Sequence, residues 1–459
     1  MTTERPRLRI HQRGDVRSIP GIDRLPAETL AEVEALAWVF PFRVNEYVAR
    51  ELIDWNNAPD DPIYRLTFPH RDMLSQRVLD GLMRLVASGA SHDEVRATAR
   101  AIQHQMNPHP ASQLELNVPT LDGVPIRGMQ HKYRETVLFF PAQGQTCHTY
   151  CSYCFRWAQF VGIEELKIAS LESQKLVAYL RAHPEVSSVL FTGGDPMIMR
   201  TSVLRRYVEP LLGADLPHLT SIRFGSKAMT YWPYRFTHDE DSDDLMRLFE
   251  EVRRSGRQLA FMAHVSHPRE LEAPAAQAAL RRILDSGASV RCQAPLIRHV
   301  NDASKVWSDM WRLQVRLGAI PYYMFVERDT GPKGYFEVPL ARAVEIFSDA
   351  YRRVSGLART VRGPSMSATP GKLIVDGVTQ IRDERVFVLH FTQARDPSWV
   401  GRPFFARFDA HATWLDQLRP VPGESELFFE PRPVEVTRSR KPAPLTRAQR
   451  PAARRLTLV

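Results

Sequence analysis

The stretch Val137–Trp157 reads VLFFPAQGQTCHTYCSYCFRW, a short apolar run followed by a loop that holds Cys147, Cys151 and Cys154, three of the four cysteines in the chain. A run rich in branched and aromatic residues, stopped by Pro141 and Gly144, predicts a buried strand. Five more runs of the same character follow: VSSVLFTGG (186–194), LTSIRFGS (219–226), QLAFMAHV (258–265), ASVRCQAPLI (288–297) and IPYYMFVER (320–328). Most are separated by amphipathic segments such as DDLMRLFEEVRRSG (243–256), where Leu245, Leu248, Phe249 and Val252 share one helical face and Gly256 supplies the stop. This alternation is the mark of a parallel α/β sheet. Six units are too few for a closed eight-stranded barrel, so the expected fold is an incomplete (β/α)6 TIM-like barrel, with a doubly wound sheet as the other possibility. In either, chemistry gathers at the carboxyl ends of the strands. The polar residues obey that rule: after successive strands come the cysteine loop, TGGDP (192–196), His264 and His267, RHVND (298–302) and ERDTG (327–331).

The composition is that of a folded chain: 459 residues, 44% hydrophobic, with ample material for a large core. Four cysteines are too few for a disulfide framework, and neither end shows a basic segment, apolar run and cleavage site. No apolar stretch reaches the length of a membrane span. The expectation is a soluble cytoplasmic protein, without a membrane partner, whose thiols stay reduced. The net charge of +9 sits mostly in the tail, where seven Arg and Lys residues follow Glu435 with no acid among them. That tail has no apolar periodicity, so residues 431–459 read as a disordered basic, Pro- and Arg-rich segment rather than a nucleic-acid arm. Ahead of it, residues 1–115 read as helical and irregular, with Ser91 and Glu94 forming a capping box. Residues 116–375 form the expected catalytic core. Residues 376–430 form a C-terminal cap, with a short hairpin in LIVDGVTQIRDERVFVLHFTQA (373–394).

Three thiolates on one loop can wrap a soft metal centre, and such ligands select zinc, copper(I) or iron–sulfur clusters. A structural zinc wants a fourth ligand, for which Cys292 and His148 are the candidates. Iron–sulfur clusters usually take four thiolates, so three leave one iron with an open position. A zinc- or nucleic-acid-binding protein without catalytic activity is therefore one class of function, and a redox-dependent enzyme is another.

The C-x3-C-x2-C motif after the first strand resembles that of the radical S-adenosylmethionine (SAM) enzymes. CSYCFRW, LFTGGDPM, SIRFGSK, AHVSHPRE, RHVND and PYYMFVER follow the order and spacing of the lysine 2,3-aminomutase family, a likeness extending from about Asn45 to Lys372. The resemblance implies a [4Fe–4S] cluster held by Cys147, Cys151 and Cys154, together with SAM and pyridoxal 5′-phosphate (PLP). It implies an isomerase that moves an α-amino group to the neighbouring carbon of a small amino acid, served by an electron donor such as flavodoxin or ferredoxin, and a homo-oligomer. Residue by residue, it assigns Gly193, Gly194 and Asp195 to SAM, and Lys372 in SATPGKL to the PLP aldehyde. Lys132, Gln293, His264 and His267 become further cofactor contacts, and Arg156 the clamp on the substrate carboxylate. A member working without PLP, or on a lysine of a protein, is an alternative within the lineage.

The chain departs from the family at the substrate side chain. Lysine-specific members hold the ammonium with two aspartates, and here those positions fall on Arg328, with Asp329 beside it, and on Ser365. If Arg328 faces the pocket, an acidic or neutral polar amino acid is expected, since a buried charge demands an opposite partner. If Asp329 faces it, a basic amino acid remains possible.

Overall fold

The computed structural model describes residues 5–108, 110, 113–162 and 167–430; the basic tail expected over 431–459 lies outside them. Two small antiparallel pairs, β1 (Ile10–Gln12) with β2 (Arg43–Asn45) and β3 (Thr120–Leu121) with β4 (Val124–Pro125), accompany one large mixed sheet. The large sheet begins with β5 (Met129–Tyr133), antiparallel to β6 (Thr136–Phe139). It continues through β7 (Ser188–Phe191), β8 (Ser221–Ser226), β9 (Gln258–His264), β10 (Ser289–Leu296) and β11 (Ile320–Val326), each parallel to the one before. All six apolar runs of the sequence are thus strands, and they stand in sequential order. A doubly wound sheet would reverse direction at a switch point. None occurs in this parallel run.

A seventh parallel strand, β12 (Arg362–Ser367), follows β11, so the parallel set is one larger than the sequence suggested. Its sequence RGPSMS hides it, because Gly363 and Pro364 both weaken a strand reading. Gly363 is needed there: its φ is +159°, and a Cβ would stand 2.6 Å from the Met324 carbonyl oxygen. Beyond it, β13 (Gly371–Ile381), β14 (Glu384–Ala394) and β15 (Pro403–Arg407) extend the sheet in antiparallel fashion. The expected hairpin is present, but its first strand runs through position 375 and belongs to the main sheet rather than to a separate cap.

Helices cross over between consecutive parallel strands and bury one face against the sheet. In Ser242–Arg254 the predicted stripe of Leu245, Leu248, Phe249 and Val252 is fully buried, each side chain contributing about 2 kcal/mol. Strand pleating separates two faces. Val189, Phe191, Ile222, Phe224, Val290 and Cys292 enter the helix-covered core, whereas Leu190, Arg223, Arg291 and Gln293 alternate onto the other, more accessible face. That inner face is enclosed by curvature. Lys132 on β5 donates a hydrogen bond to the carbonyl of Ala368, just past β12, although a flat sheet would hold those strands roughly 30 Å apart.

The N-terminal region covers the carboxyl ends of the strands with its own apolar cluster, which takes in Tyr153, Tyr231, Ile297 and Phe336. Its helix His92–His104 starts at the Ser91 cap, whose hydroxyl accepts from the Glu94 N–H at 3.3 Å while the Glu94 carboxylate accepts from the Ser91 N–H at 2.9 Å.

Candidate active site

The cysteine loop leaves β6 and is braced from two sides. From the N-terminal region, the Arg43 carbonyl accepts the Tyr150 N–H at 2.8 Å and the Leu66 carbonyl accepts the Ser152 N–H at 2.9 Å. Asn45, fully buried, donates its amide to the His148 carbonyl, the Thr149 hydroxyl and the Tyr231 carbonyl, so every group of this side chain is used. From the sheet, the TGGDP turn after β7 presses against the residues just before Cys147. A Cβ on Gly194 would lie 2.4 Å from the Thr146 nitrogen, and one on Gly193 would strike the Gln145 amide. The Asp195 N–H donates to the Thr146 carbonyl at 2.8 Å. Its carboxylate accepts from the backbone N–H groups of Met197, Lys227 and Ala228 and from the Ser226 hydroxyl, while burial lifts its pKa to about 6. Asp195 thus ties the glycine turn to the end of β8.

The three thiols are mutual electrostatic neighbours. Burial pushes all of them upward: Cys147 well above the usual thiol range with help from Asp195 and the other two cysteines, Cys151 upward, and Cys154 to about 12. A metal centre bound here must displace their protons. Tyr153, lying between Cys151 and Cys154, makes hydrogen bonds to His264 Nε2 at 2.7 Å and the Ser266 hydroxyl at 3.1 Å, joining the loop to the end of β9. Burial keeps His264 neutral, and brings His267 down to about 4. Cys292 points from β10 into the helix-covered core, on the face opposite Gln293, and so cannot complete a four-ligand set with the loop. Among the described residues no group of three or more His, Cys, Asp and Glu side chains closes on a single metal ion.

Deeper on the inner face stands a second group. Lys372, the second residue of β13, pairs with Ser367 of β12, and its ammonium lies 4.6 Å from the centre of the Tyr323 ring, 5.7 Å from Phe325 and 5.9 Å from Tyr133. Burial, then the Arg223 and Arg362 guanidinium groups, brings its pKa down to about 7. Lys132 is pushed well below the usual lysine range by burial and by Arg328, Arg395 and Lys372. Nearer the thiols, Arg156 is 6% exposed, stacks on Phe140 at 4.4 Å and Phe155 at 5.0 Å, and leaves Nη1 without a partner. Burial lowers its pKa to about 10.

Arg328 turns toward the same place: its guanidinium lies 5.5 Å from the Phe155 ring and 6.0 Å from Trp414, with Nε unpartnered. Asp329 is the leading opposite charge on that guanidinium, keeps Oδ1 buried without a partner, and meets the Asn107 amide mainly through its backbone carbonyl. Ser365, fully buried on β12, also leaves its hydroxyl without a partner. Burial drives the Glu327 carboxyl well above the usual range, while Arg328 pulls it back down. The inner face is rich in cations, with Lys132, Arg223, Arg328, Arg362 and Lys372 acting on one another. Tyr133, Arg223, Tyr323, Glu327 and Arg362 escaped the sequence reading. The signal for Arg223 was available, as a charged residue alternating with apolar ones inside SIRFGS.

The chain is 30% identical over 404 residues to "Putative L-lysine 2,3-aminomutase" of Aquifex aeolicus, covering 88% of this chain and 94% of that protein. The chain belongs to the lysine 2,3-aminomutase family of radical SAM enzymes. Within this lysine 2,3-aminomutase family it is also 29% identical over 285 residues to a Treponema pallidum protein of the same name, covering 60% of this chain and 74% of that one. It is 23% identical over 341 residues to the L-lysine 2,3-aminomutase of Bacillus subtilis, covering 67% and 68%. No family model matches. A radical SAM methyltransferase from Sphaerobacter thermophilus overlaps 65% of this chain and 95% of its own at 14% identity and a TM-score of 0.32, too low to carry an argument. Membership makes the chain an enzyme and implies a [4Fe–4S] cluster and SAM. No helix among the described residues is long and apolar enough to cross a membrane. The donor set suits these groups: three neighbouring thiols on a braced loop, together with clustered cations and buried donors left over.

Proposed function

We propose that the chain is a PLP-dependent amino acid 2,3-aminomutase, moving an α-amino group to the β-carbon of an amino acid with an acidic or neutral polar side chain. The observation that carries this reading is Lys372, an amine lowered to about 7 and set among aromatic rings and guanidinium groups on the inner face of the sheet. When bound, the cluster and SAM supply a radical able to remove an unactivated hydrogen, and PLP carries the migrating nitrogen.

The chain's own residues divide the remaining work. Cys147, Cys151 and Cys154 would be the thiolate ligands of the cluster. Gly193 and Gly194, braced by Asp195, together with His264 and His267, would serve SAM. Lys372, with roughly half its amines unprotonated at neutral pH, would hold the PLP aldehyde. Lys132, Arg223, Arg362 and Gln293 offer charge and hydrogen bonds for a phosphate. Arg156 takes the substrate carboxylate in a bidentate grip, and Phe140 and Phe155 keep water from it. Arg328 and Ser365 face the side chain. A lysine ammonium about 4 Å from Arg328 would be repelled by about 4 kcal/mol at an effective dielectric of about 20. The same geometry favours a carboxylate. We further propose that the curled sheet is an incomplete barrel, and that a one-electron donor such as flavodoxin or ferredoxin serves the cluster.

A PLP-free enzyme of this lineage would have no use for a second, lysine-centred set of cations, and a zinc protein would need His148 as its fourth ligand because Cys292 faces the core. The test is reconstitution under anaerobic conditions. Iron and sulfide in cluster proportion, an imine absorption band from PLP that is missing in Lys372→Ala, and a β-amino acid among the products support the reading. A fully active PLP-free preparation would contradict it.

A further inference from the structure

Arg156 and Arg328 come from different parts of the chain, one from the segment behind the cysteine loop and one from the loop that follows β11. Their guanidinium carbons lie 5.0 and 5.5 Å from the centre of one ring, Phe155, and the two cations act on each other. Both therefore work across the same short gap.

The two segments are joined by a buried hydroxyl. The indole N–H of Trp157, next to Arg156, donates to the Thr330 hydroxyl at 2.9 Å, and both side chains are buried. The same hydroxyl donates to the Asn107 carbonyl at 2.6 Å, so it is used twice. On one side of this link, the Trp157 backbone N–H donates to the Cys154 carbonyl at 2.9 Å. On the other, the Thr330 N–H donates to the Arg328 carbonyl at 2.9 Å and closes a tight bend. Gly331 lets the segments come this close: its φ is +63°, and a Cβ there would stand 3.1 Å from the Trp157 ring. Breaking the Trp157–Thr330 bond would orphan a buried donor, which is why such a link holds its geometry.

We propose that Thr330 is a specificity-determining positioning residue: by tying Trp157 to the Arg328 bend, it fixes the separation of the two guanidinium groups and so the length of the dicarboxylic amino acid that spans them. This rests on the reading that Arg156 and Arg328 hold the two ends of the substrate. Asp329, the opposite charge beside Arg328, lies in the same bend, so the tie places the pair and does not choose between them.

The experiment uses protein loaded with cluster and PLP, without SAM, when no turnover occurs. Dissociation constants of L-aspartate, L-glutamate and L-2-aminoadipate, which differ by one methylene each, are measured calorimetrically. Unmodified protein should bind one of the three at least about tenfold more tightly than the other two. Thr330→Val keeps the shape and removes the hydroxyl, and Trp157→Phe keeps a ring and removes the donor; in either, the preference should fall to about threefold or less. Thr330→Ser should restore it. A merely structural role would weaken all three ligands by one common factor and leave their ratios intact. That result overturns the proposal, as does failure of serine to rescue or an unmodified protein without a length preference. Unmodified protein that binds L-lysine ahead of every dicarboxylate overturns the substrate reading itself, and is seen before any variant is made.

Discussion

The cysteine loop and the substrate end of the cavity are built in opposite ways. Around the loop, Asn45 and Asp195 have their hydrogen-bonding groups matched by the protein itself. At the substrate end, Arg156 Nη1, Arg328 Nε and the Ser365 hydroxyl are buried without partners. Unmatched buried polar groups cost stability. The two main braces of the loop are thus matched, although Gln145 Oε1 and His148 Nδ1 within it are not, while the other end leaves the donors of Arg156, Arg328 and Ser365 open to what binds there. A preformed holder suits a cluster that must stay in place through every cycle. A charged, unfinished pocket suits a ligand that comes and goes, and whose identity is read by its charge.

Four changes test that contrast, in falling order of effect. Replacing Cys147, Cys151 or Cys154 by Ala should abolish SAM cleavage, whereas Cys292→Ala should retain it. Formation of 5′-deoxyadenosine is the measurement, and retention in Cys151→Ala would break the scaffold account. Lys372→Ala should lose the PLP imine band and slow amino-group migration by about a hundredfold or more through lost positioning. In the unmodified protein, imine formation should rise with pH through about 7, because only the unprotonated amine attacks and Lys372 is lowered to that value. An ordinary lysine would place the rise near its usual pKa of about 10.4.

Arg328→Met separates the two regions most sharply. It removes a buried cation that already has Asp329 and Glu327 acting on it, so affinity for an acidic amino acid should fall by about 3 kcal/mol, roughly a hundredfold, with little gain in stability. Lower stability together with unchanged affinity would show that Arg328 is a structural residue. Gly194→Ala places a Cβ against the Thr146 backbone and should cost about 1–3 kcal/mol of stability, with reduced iron content on reconstitution. Normal iron loading would show that the glycine turn does not shape the loop.

The parts legible in the sequence were those governed by local rules. Six strands declared themselves as apolar runs, the Ser91 cap as a spacing, and the thiols as a motif. Strand β12 stayed hidden because Gly363 and Pro364 argue against a strand, and only its close approach to Met324 explains them. The cation cluster around Lys372 was illegible for a different reason. Arg223, Arg362 and Tyr133 lie on three strands that meet only once the sheet curls. The hydrogen bond that ties Tyr153 of the cysteine loop to His264 of β9 joins residues more than a hundred positions apart in sequence. No local pattern carries such information.

The most direct test of the central claim is isotopic. The reconstituted protein, given SAM, PLP and a reductant, is incubated separately with β-deuterated glutamate and β-deuterated lysine, and both 5′-deoxyadenosine and amino acid products are analysed by mass spectrometry. The account predicts deuterium in 5′-deoxyadenosine and a β-amino isomer from glutamate, with little of either from lysine. Efficient transfer from lysine, with none from glutamate, would contradict it.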